Sequence, residues 1–476
     1  MKYETVVGLE IHTELSTKTK MYCGCATTFG SAPNSNCCPG CLAMPGTLPV
    51  LNKTAVRYAI AAGLAMNCEI SAWGKQDRKN YFYPDLPKAY QDSQLDTPLC
   101  KNGYIDITVD NTIKRIRINR IHIEEDAGKL LHDSISGDTL IDLNRGSLPL
   151  IEIVTEPDIS SAEEAKLFLE SVKAILEYTE VSDCKMEQGS LRCDVNVSIR
   201  PEGETKLGTR CEMKNINSFR AAFRAIEFES MRQKKELEFG GKLVQETRRW
   251  DDVKGESTSM RNKETAMDYR YFPDPDLVYI AIDDDFIDDV KRSLPELPAA
   301  RKTRYMEQYN ISSYDAEQIT NSKQYAEFFE GCLAEGATPK AVCNWILGDI
   351  ARILNEKNMS PGDIPFSHIQ LAKLIGLIED GIISNTAGKT VLSELFENPR
   401  NPEDIVSEKG LAQISDEGQL TKAICEVIAA NPKSVEDYKA GKDKAIGFLI
   451  GQTMRATKGK GNPELINKLL KTELDK

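Results

Sequence analysis

The sequence predicts an α+β protein, with an N-terminal antiparallel-sheet cradle and its helices followed by an all-α helical domain and an α-helical tail. Two observations carry that reading. Up to about Ile282, short segments alternate apolar and polar residues with the period of two that a strand imposes, and a few longer ones repeat every three or four positions. After the acidic stretch 283–289 and the prolines Pro295 and Pro298, strand-like alternation nearly vanishes. Amphipathic helical patterns split by Gly, Pro and Asn then run to residue 476.

In chain order, strands are expected at 104–109, 113–123, 139–143, 150–155, 191–200 and 208–214, and helices at 52–66, 161–178 and 217–239. The second of these helices has Ser160 or Ser161 as its cap, with Glu163 and Glu164 in the first turn. Later helices fit 338–356, 367–380 and 442–457. At 476 residues the chain is too long for one core. The expected division is a cradle at 1–290 containing a cysteine loop at 23–41, a helical domain at 295–405, and a tail at 410–476 beyond the prolines Pro399 and Pro402.

Composition narrows the class. No apolar run approaches the roughly 18–20 residues of a membrane helix, and the first residues lack a signal-peptide pattern. Thirteen cysteines, eight of them scattered singly from Cys68 to Cys425, suit a reducing cytoplasm. A net charge of −13 argues against a general nucleic-acid coat while leaving room for a local basic surface.

Three segments place charge where a strand should be apolar. Gly8, Glu10, His12 and Glu14 share one face of the first expected strand, the 113–123 alternation runs through His122 into Glu124, Glu125 and Asp126, and Glu152 stands alone in an apolar run. A buried lone carboxylate costs on the order of several kcal/mol unless a cation or proton neutralises it. A divalent ion would do so. The plainer alternative is surface glutamates on half-exposed strands, and three such segments together weigh against it.

Cys23 and Cys25, then Cys38 and Cys41, are two close pairs joined by a loop rich in Gly, Pro and Asn. Tetrahedral zinc needs four thiolates so disposed, and Pro39 and Gly40 suit the turn of the C-x-x-C; Cys37 competes with Cys38 as third ligand. Asp194, Asn196 and Ser198 share one strand face, with Glu212 and Lys214 on an expected neighbour, an oxygen-rich set of the kind a Mg²⁺–nucleotide site recruits. Arg78 and Lys79 stand beside Tyr81, Phe82 and Tyr83, cations for phosphate and rings for a base. No G-x-x-x-x-G-K-[ST] loop, dinucleotide fingerprint or nucleophile elbow occurs. Unaided, these residues support a metal-dependent phosphate or carboxylate enzyme with a structural zinc.

Longer segments carry a resemblance. The runs 4–12, 78–85, 124–129, 150–158, 189–196 and 268–273 resemble the GatB component of the tRNA-dependent amidotransferases, in order along the whole chain, and 444–452 resembles the YqeY-like domain that closes these proteins. The resemblance implies a cytoplasmic heterotrimer. A partner amidase releases ammonia from glutamine, and a small third component clamps that amidase to GatB. GatB uses ATP and Mg²⁺ to phosphorylate the side-chain carboxylate of glutamate mischarged on tRNA(Gln), or of aspartate on tRNA(Asn), and ammonia displaces phosphate. On this reading Glu10, Glu125 and Glu152 are Mg²⁺ carboxylates with His12 beside them as ligand or orienter. Lys79 and Arg78 hold phosphate, Lys79 lies opposite Glu125 where ammonia must arrive, and Asp194, Asn196 and Lys214 contact nucleotide or metal. The tail holds the tRNA body. A different class, a non-catalytic zinc-containing tRNA-binding scaffold, is disfavoured by the acidic cluster. The related archaeal form specific for tRNA(Gln) carries an inserted synthetase-like domain for which this chain has no room.

Overall fold

A computed structural model describes residues 2–110, 112–133, 135–260, 266–414, 416–439, 442, 444–457 and 460–475. The chain forms two compact units, Met1–Ala300 and Arg301–Lys476.

The first unit is built on a nine-stranded sheet in the order Glu256–Ser259, Glu246–Asp251, Cys211–Ile216, Leu191–Pro201, Tyr3–Glu14, Pro149–Thr155, Thr112–Glu125, Cys100–Val109, Glu69–Ile70. All neighbours are antiparallel except Cys211–Ile216 and Glu246–Asp251, which run parallel. The helix Phe219–Glu238 lies between those two strands in sequence, and a parallel pair requires such a crossover.

One face of the sheet is dry. Leu9 and Ile11, Ile121 and Ile123, Ile151 and Ile153, Val195 and Val197 share a core with Ala59, Phe168, Val172, Ala222 and Ile226 of the helices Lys53–Ala65, Ala162–Tyr178 and Phe219–Glu238. Each large apolar side chain contributes about 1.5–3 kcal/mol on full burial. The helix caps are side-chain acceptors: Asn52, Ser218, and Ser161 rather than Ser160, whose hydroxyl instead donates to Glu164. With the helices on one side, every second residue of the central strands faces the other way. That alternation gives the sheet its polar face.

Five of the strands that escape the sequence pattern lie in two places. Glu246–Asp251 and Glu256–Ser259 extend the sheet past Cys211–Ile216, and Asp77–Asn80 pairs with Tyr90–Ser93 and Phe272–Pro273 in a small second sheet. These segments are too polar to alternate, and pairing with neighbours holds them. The second sheet is tied to the end of Thr112–Glu125 where Gln91 Nε2 donates to the Glu125 carbonyl and the Asp92 N–H to the Glu125 carboxylate.

The second unit is helical. The helix expected over 338–356 is one helical run with a π turn, Trp345–Ile350, between Pro339–Asn344 and Ala351–Lys357. His368–Glu379 starts at a capping box of Ser367 and Gln370. Near the end, Ile424, Val427, Leu449, Leu470 and Leu474 make a small core of their own. Lys458 and Gly459, between the helices Lys444–Ala456 and Pro463–Leu474, lie outside the described residues. Among the described residues no helix is long and apolar enough to cross a membrane.

Candidate active site and metal centre

Strand register assembles the site on the polar face. His12 lies opposite Glu152, and Glu152 opposite His122. Glu124, two residues along from His122, takes the His12 Nδ1–H at 3.1 Å, and His122 Nε2 stands 3.2 Å from Glu152 and 3.7 Å from Glu124. Donor atoms of His12, Glu124 and Glu152 all fall within 4.8 Å of one another.

The electrostatics are those of charges held together away from water. Burial works against the His12 imidazolium, but the Glu124 hydrogen bond and the charges of Glu124, Glu152 and Asp194 outweigh it and raise the pKa to about 9. His122 is raised to about 9 as well, burial being overcome by Glu152 and Glu124. Burial would lift the two acids, yet His122 holds Glu152 down to about 2, and hydrogen bonds from both histidines keep Glu124 well below its usual range. Without a metal, two imidazolium protons balance two carboxylates. Two carboxylates and an imidazole within one coordination sphere suit a divalent cation, the carboxylates matching hard Mg²⁺. His122 Nδ1 and Asn196 Oδ1 are buried and without a hydrogen-bond partner among the described residues, which fits a site completed by a ligand.

Three expectations are corrected here. The acid in this cluster is Glu124, not Glu125. Glu125 falls on the opposite parity from His122, with Ile121 and Ile123, and is buried against Lys88 and Asp92. The cation on Glu125 is Lys88, which also reaches Asp92 at 2.6 Å, and not Lys79. Lys79 sits over the rings of Tyr269 and Tyr81, 4.9 and 5.7 Å from their centroids, and no carboxylate among the described residues pairs with it. Arg78, expected on phosphate, makes a two-pronged contact with Asp274 at 2.8 and 3.1 Å, reaches Asp276 at 2.7 Å and stacks on Tyr90. Pairing of Asp77–Asn80 with Phe272–Pro273 puts Arg78 beside that acidic turn, with its Nε and Nη2 on the turn's carboxylates.

Glu10 also stands apart from the His12 cluster. It lies opposite Asp194, accepts from Asn196 Nδ2 at 2.9 Å, and belongs to a second group one pleat away. There Lys214 Nζ meets Asp194 at 2.5 Å and Glu212 at 3.5 Å. Asp194, Asn196 and Lys214 are thus together on the expected face, joined to the first group through the strand that carries Glu10 and His12. His122 and Glu124 are the site residues that sequence reasoning missed, although the alternation with Ile121 and Ile123 marks both as facing away from the core.

The four sulfurs of Cys23, Cys25, Cys38 and Cys41 also lie within 4.8 Å of one another. Cys37, whose thiol reaches Asn144 at 3.9 Å, is not among the four converging sulfurs, and Cys38 completes the set. Asn34 and Asn36 lash the loop to Ile141, Asp142 and Asn144. Cys41 accepts the Cys38 N–H at 3.1 Å, and its thiol is lowered to about 4, first by the hydrogen bond with Cys23 and then by its other donors, while burial raises Cys25 to about 11. Four converging sulfurs fit tetrahedral zinc, and a four-cysteine shell leaves no open position for chemistry.

A sheet that gathers imidazole and carboxylates in a group able to hold a metal ion, in a unit that also brings four cysteine sulfurs together, suits an enzyme, and its relatives give the family. The family described as the GatB/GatE catalytic domain matches residues 5–288, and the GatB domain matches 327–474. The aspartyl/glutamyl-tRNA(Asn/Gln) amidotransferase B chain of Caldicellulosiruptor bescii is 59% identical over the full length of both proteins. Its namesakes from Thermoanaerobacter sp. (strain X514) and Brevibacillus brevis are 57% and 53% identical, covering this whole chain and 100% and 99% of theirs. The chain belongs to the GatB family of tRNA-dependent amidotransferases.

Proposed function

We propose that this chain is the phosphorylating component of a glutamine-dependent tRNA amidotransferase, a carbon–nitrogen ligase acting on Glu-tRNA(Gln), Asp-tRNA(Asn) or both. A carboxylate resists attack by ammonia because oxide is a poor leaving group. Transfer of the ATP γ-phosphoryl to the side-chain carboxylate converts that oxygen into phosphate, which ammonia then displaces to leave the amide. Such transfer needs positioning and cations on the developing charge rather than a protein nucleophile. Bound Mg²⁺ would supply part of that charge, held by Glu124 and Glu152 with His12. Glu10, Asp194 and Asn196 present further oxygens one pleat away, Lys214 a cation, and Lys79 an ammonium with no carboxylate on it among the described residues.

The observation that carries this reading is the convergence of His12, Glu124 and Glu152 on the polar face of the sheet. A tRNA-binding scaffold has no use for buried carboxylates so placed. The partners proposed are an amidase supplying ammonia and a small clamping protein, in a cytoplasmic heterotrimer. Zinc in the cysteine knot serves the fold. The cradle at 1–290 takes the acceptor end, a helical domain spans 295–405, and the tail from about 410 holds the tRNA body. The test is ADP and amide formation by the reconstituted complex on Glu-tRNA(Gln) and Asp-tRNA(Asn) separately. ADP release that requires the mischarged tRNA supports the reading; amide formation without ATP consumption contradicts it.

A further inference from the structure

Lys20 is a lysine with 0% of its surface exposed. A buried ammonium costs several kcal/mol unless an anion or a full set of acceptors receives it. Lys88, the other deeply placed lysine of this region, meets that need with two carboxylates, Asp92 and Glu125. No carboxylate among the described residues pairs with Lys20. Its Nζ donates to the Leu143 carbonyl at 3.1 Å and to Cys41 Sγ at 3.8 Å. The Cys38 N–H donates to the same sulfur at 3.1 Å. Cys41 is thus the sulfur on which two donors converge, one of them a full positive charge.

We propose that Lys20 is the resident counter-cation of the four-cysteine centre, setting its charge and shielding Cys41. The proposal rests on the zinc reading above. Four thiolates around Zn²⁺ carry a net charge of −2, and Lys20 brings the assembly to −1. The half-buried sulfurs need such shielding. Cys23 and Cys41 line a cavity of about 250 Å³ together with Lys88 and Glu125, so small electrophiles reach them from that side. A charge-assisted N–H···S bond draws electron density from the thiolate and slows its attack on an electrophile. Lys20 also fastens the knot to the scaffold. Its own N–H donates to the Cys25 carbonyl at 3.0 Å, and its side chain holds Leu143, which leads through Ser147 into the strand Pro149–Thr155 that carries Glu152.

The test compares the full-length wild type with Lys20→Met, which keeps the side-chain length and removes the charge. Zinc content is measured first. Zinc release is then driven by N-ethylmaleimide and followed with a chromophoric zinc chelator. The expected result is about one zinc per chain in both proteins and release about tenfold faster from Lys20→Met, the effect of about one charge-assisted hydrogen bond. Equal release rates overturn the role of Lys20 and leave the zinc reading standing, whereas a wild type without zinc overturns both. Partial alkylation of the wild type, mapped by peptide mass, keeps the proposal testable should Lys20→Met fail to fold. Cys41 is expected to be the slowest of the four cysteines to react, and Cys41 among the first modified overturns the proposal.

Discussion

His12 faces Glu152 directly across the antiparallel pairing of Tyr3–Glu14 with Pro149–Thr155, and Glu152 faces His122 across the next strand. Imidazole, carboxylate and imidazole therefore alternate along one row of the sheet, with Glu124 one pleat further on.

That row separates two neighbouring glutamates by function. Glu124→Gln removes a carboxylate from the His12–Glu124–Glu152 cluster and should lower mischarged-tRNA-dependent ADP release at least about 100-fold with the fold intact. Glu125→Gln leaves the cluster alone but strips Lys88 of one of its two carboxylates, costing roughly 3 kcal/mol of stability while phosphorylation stays within about tenfold. Kinetics and thermal unfolding of both variants distinguish the two roles. Equal loss of activity in both would merge them.

The same row gives a pH signature to the metal-free protein. His12 and His122 are raised from an ordinary value of 6.5 to about 9, so the stability they contribute is fully present below 6.5 and is lost as pH rises through about 9. Their depressed partners Glu124 and Glu152 contribute stability above about 4.5, lost as pH falls through their lower folded values. Added Mg²⁺ or Mn²⁺ replaces the imidazolium charge, so it should flatten the loss between pH 6.5 and 9, and its apparent affinity should rise over that interval. Thermal unfolding at a series of pH values, with and without the ion, reads both effects. A metal affinity that falls as pH rises from 6.5 to 9 would contradict the assignment.

For the cysteine knot, Cys38→Ser should lose zinc and Cys37→Ser should keep about one per chain. Metal analysis of the two purified variants decides it, and the reverse pattern would restore Cys37 as the third ligand.

Much of this is legible in the sequence, because alternation is a direct consequence of strand geometry. The pattern around Glu10 and His12, the lone Glu152 and the clean face of Asp194 and Asn196 place these residues on the polar side before any coordinates. Parity also points to Glu124, since Ile121 and Ile123 are core residues and Glu125 continues their side; the family resemblance favours Glu125 instead. Other features lie beyond sequence periodicity. Asp77–Asn80 has no apolar residue to alternate, so neither its strand nor the capture of Arg78 by Asp274 can be read locally. Lys88 and Lys20 look like any surface lysine until the fold brings Glu125 to one and Cys41 to the other.

The helical tail bears on tRNA. Glu417–Ala430, Lys444–Ala456 and Pro463–Leu474 share a small core of their own. Arg455, Lys460, Lys468 and Lys471 are exposed on or beside them. Phosphate contacts release counterions, so deletion from about 410 should flatten the salt dependence of tRNA binding and raise the KM for charged tRNA more than it lowers ammonia release by the amidase. Identical binding by truncated and full-length complexes across a salt series would remove the tail from the tRNA surface.

The most direct test of the central claim, that His12, Glu124 and Glu152 serve phosphorylation of a tRNA-borne carboxylate, is transfer of label from [γ-³²P]ATP in the reconstituted complex without an ammonia source. The wild type should release ADP and place label on the mischarged tRNA, chasing to free phosphate and amide when ammonia is added. The Glu124→Gln complex should do neither while its amidase still hydrolyses glutamine. Undiminished labelling by Glu124→Gln, or a wild type that forms amide without labelling the charged tRNA, would contradict the account.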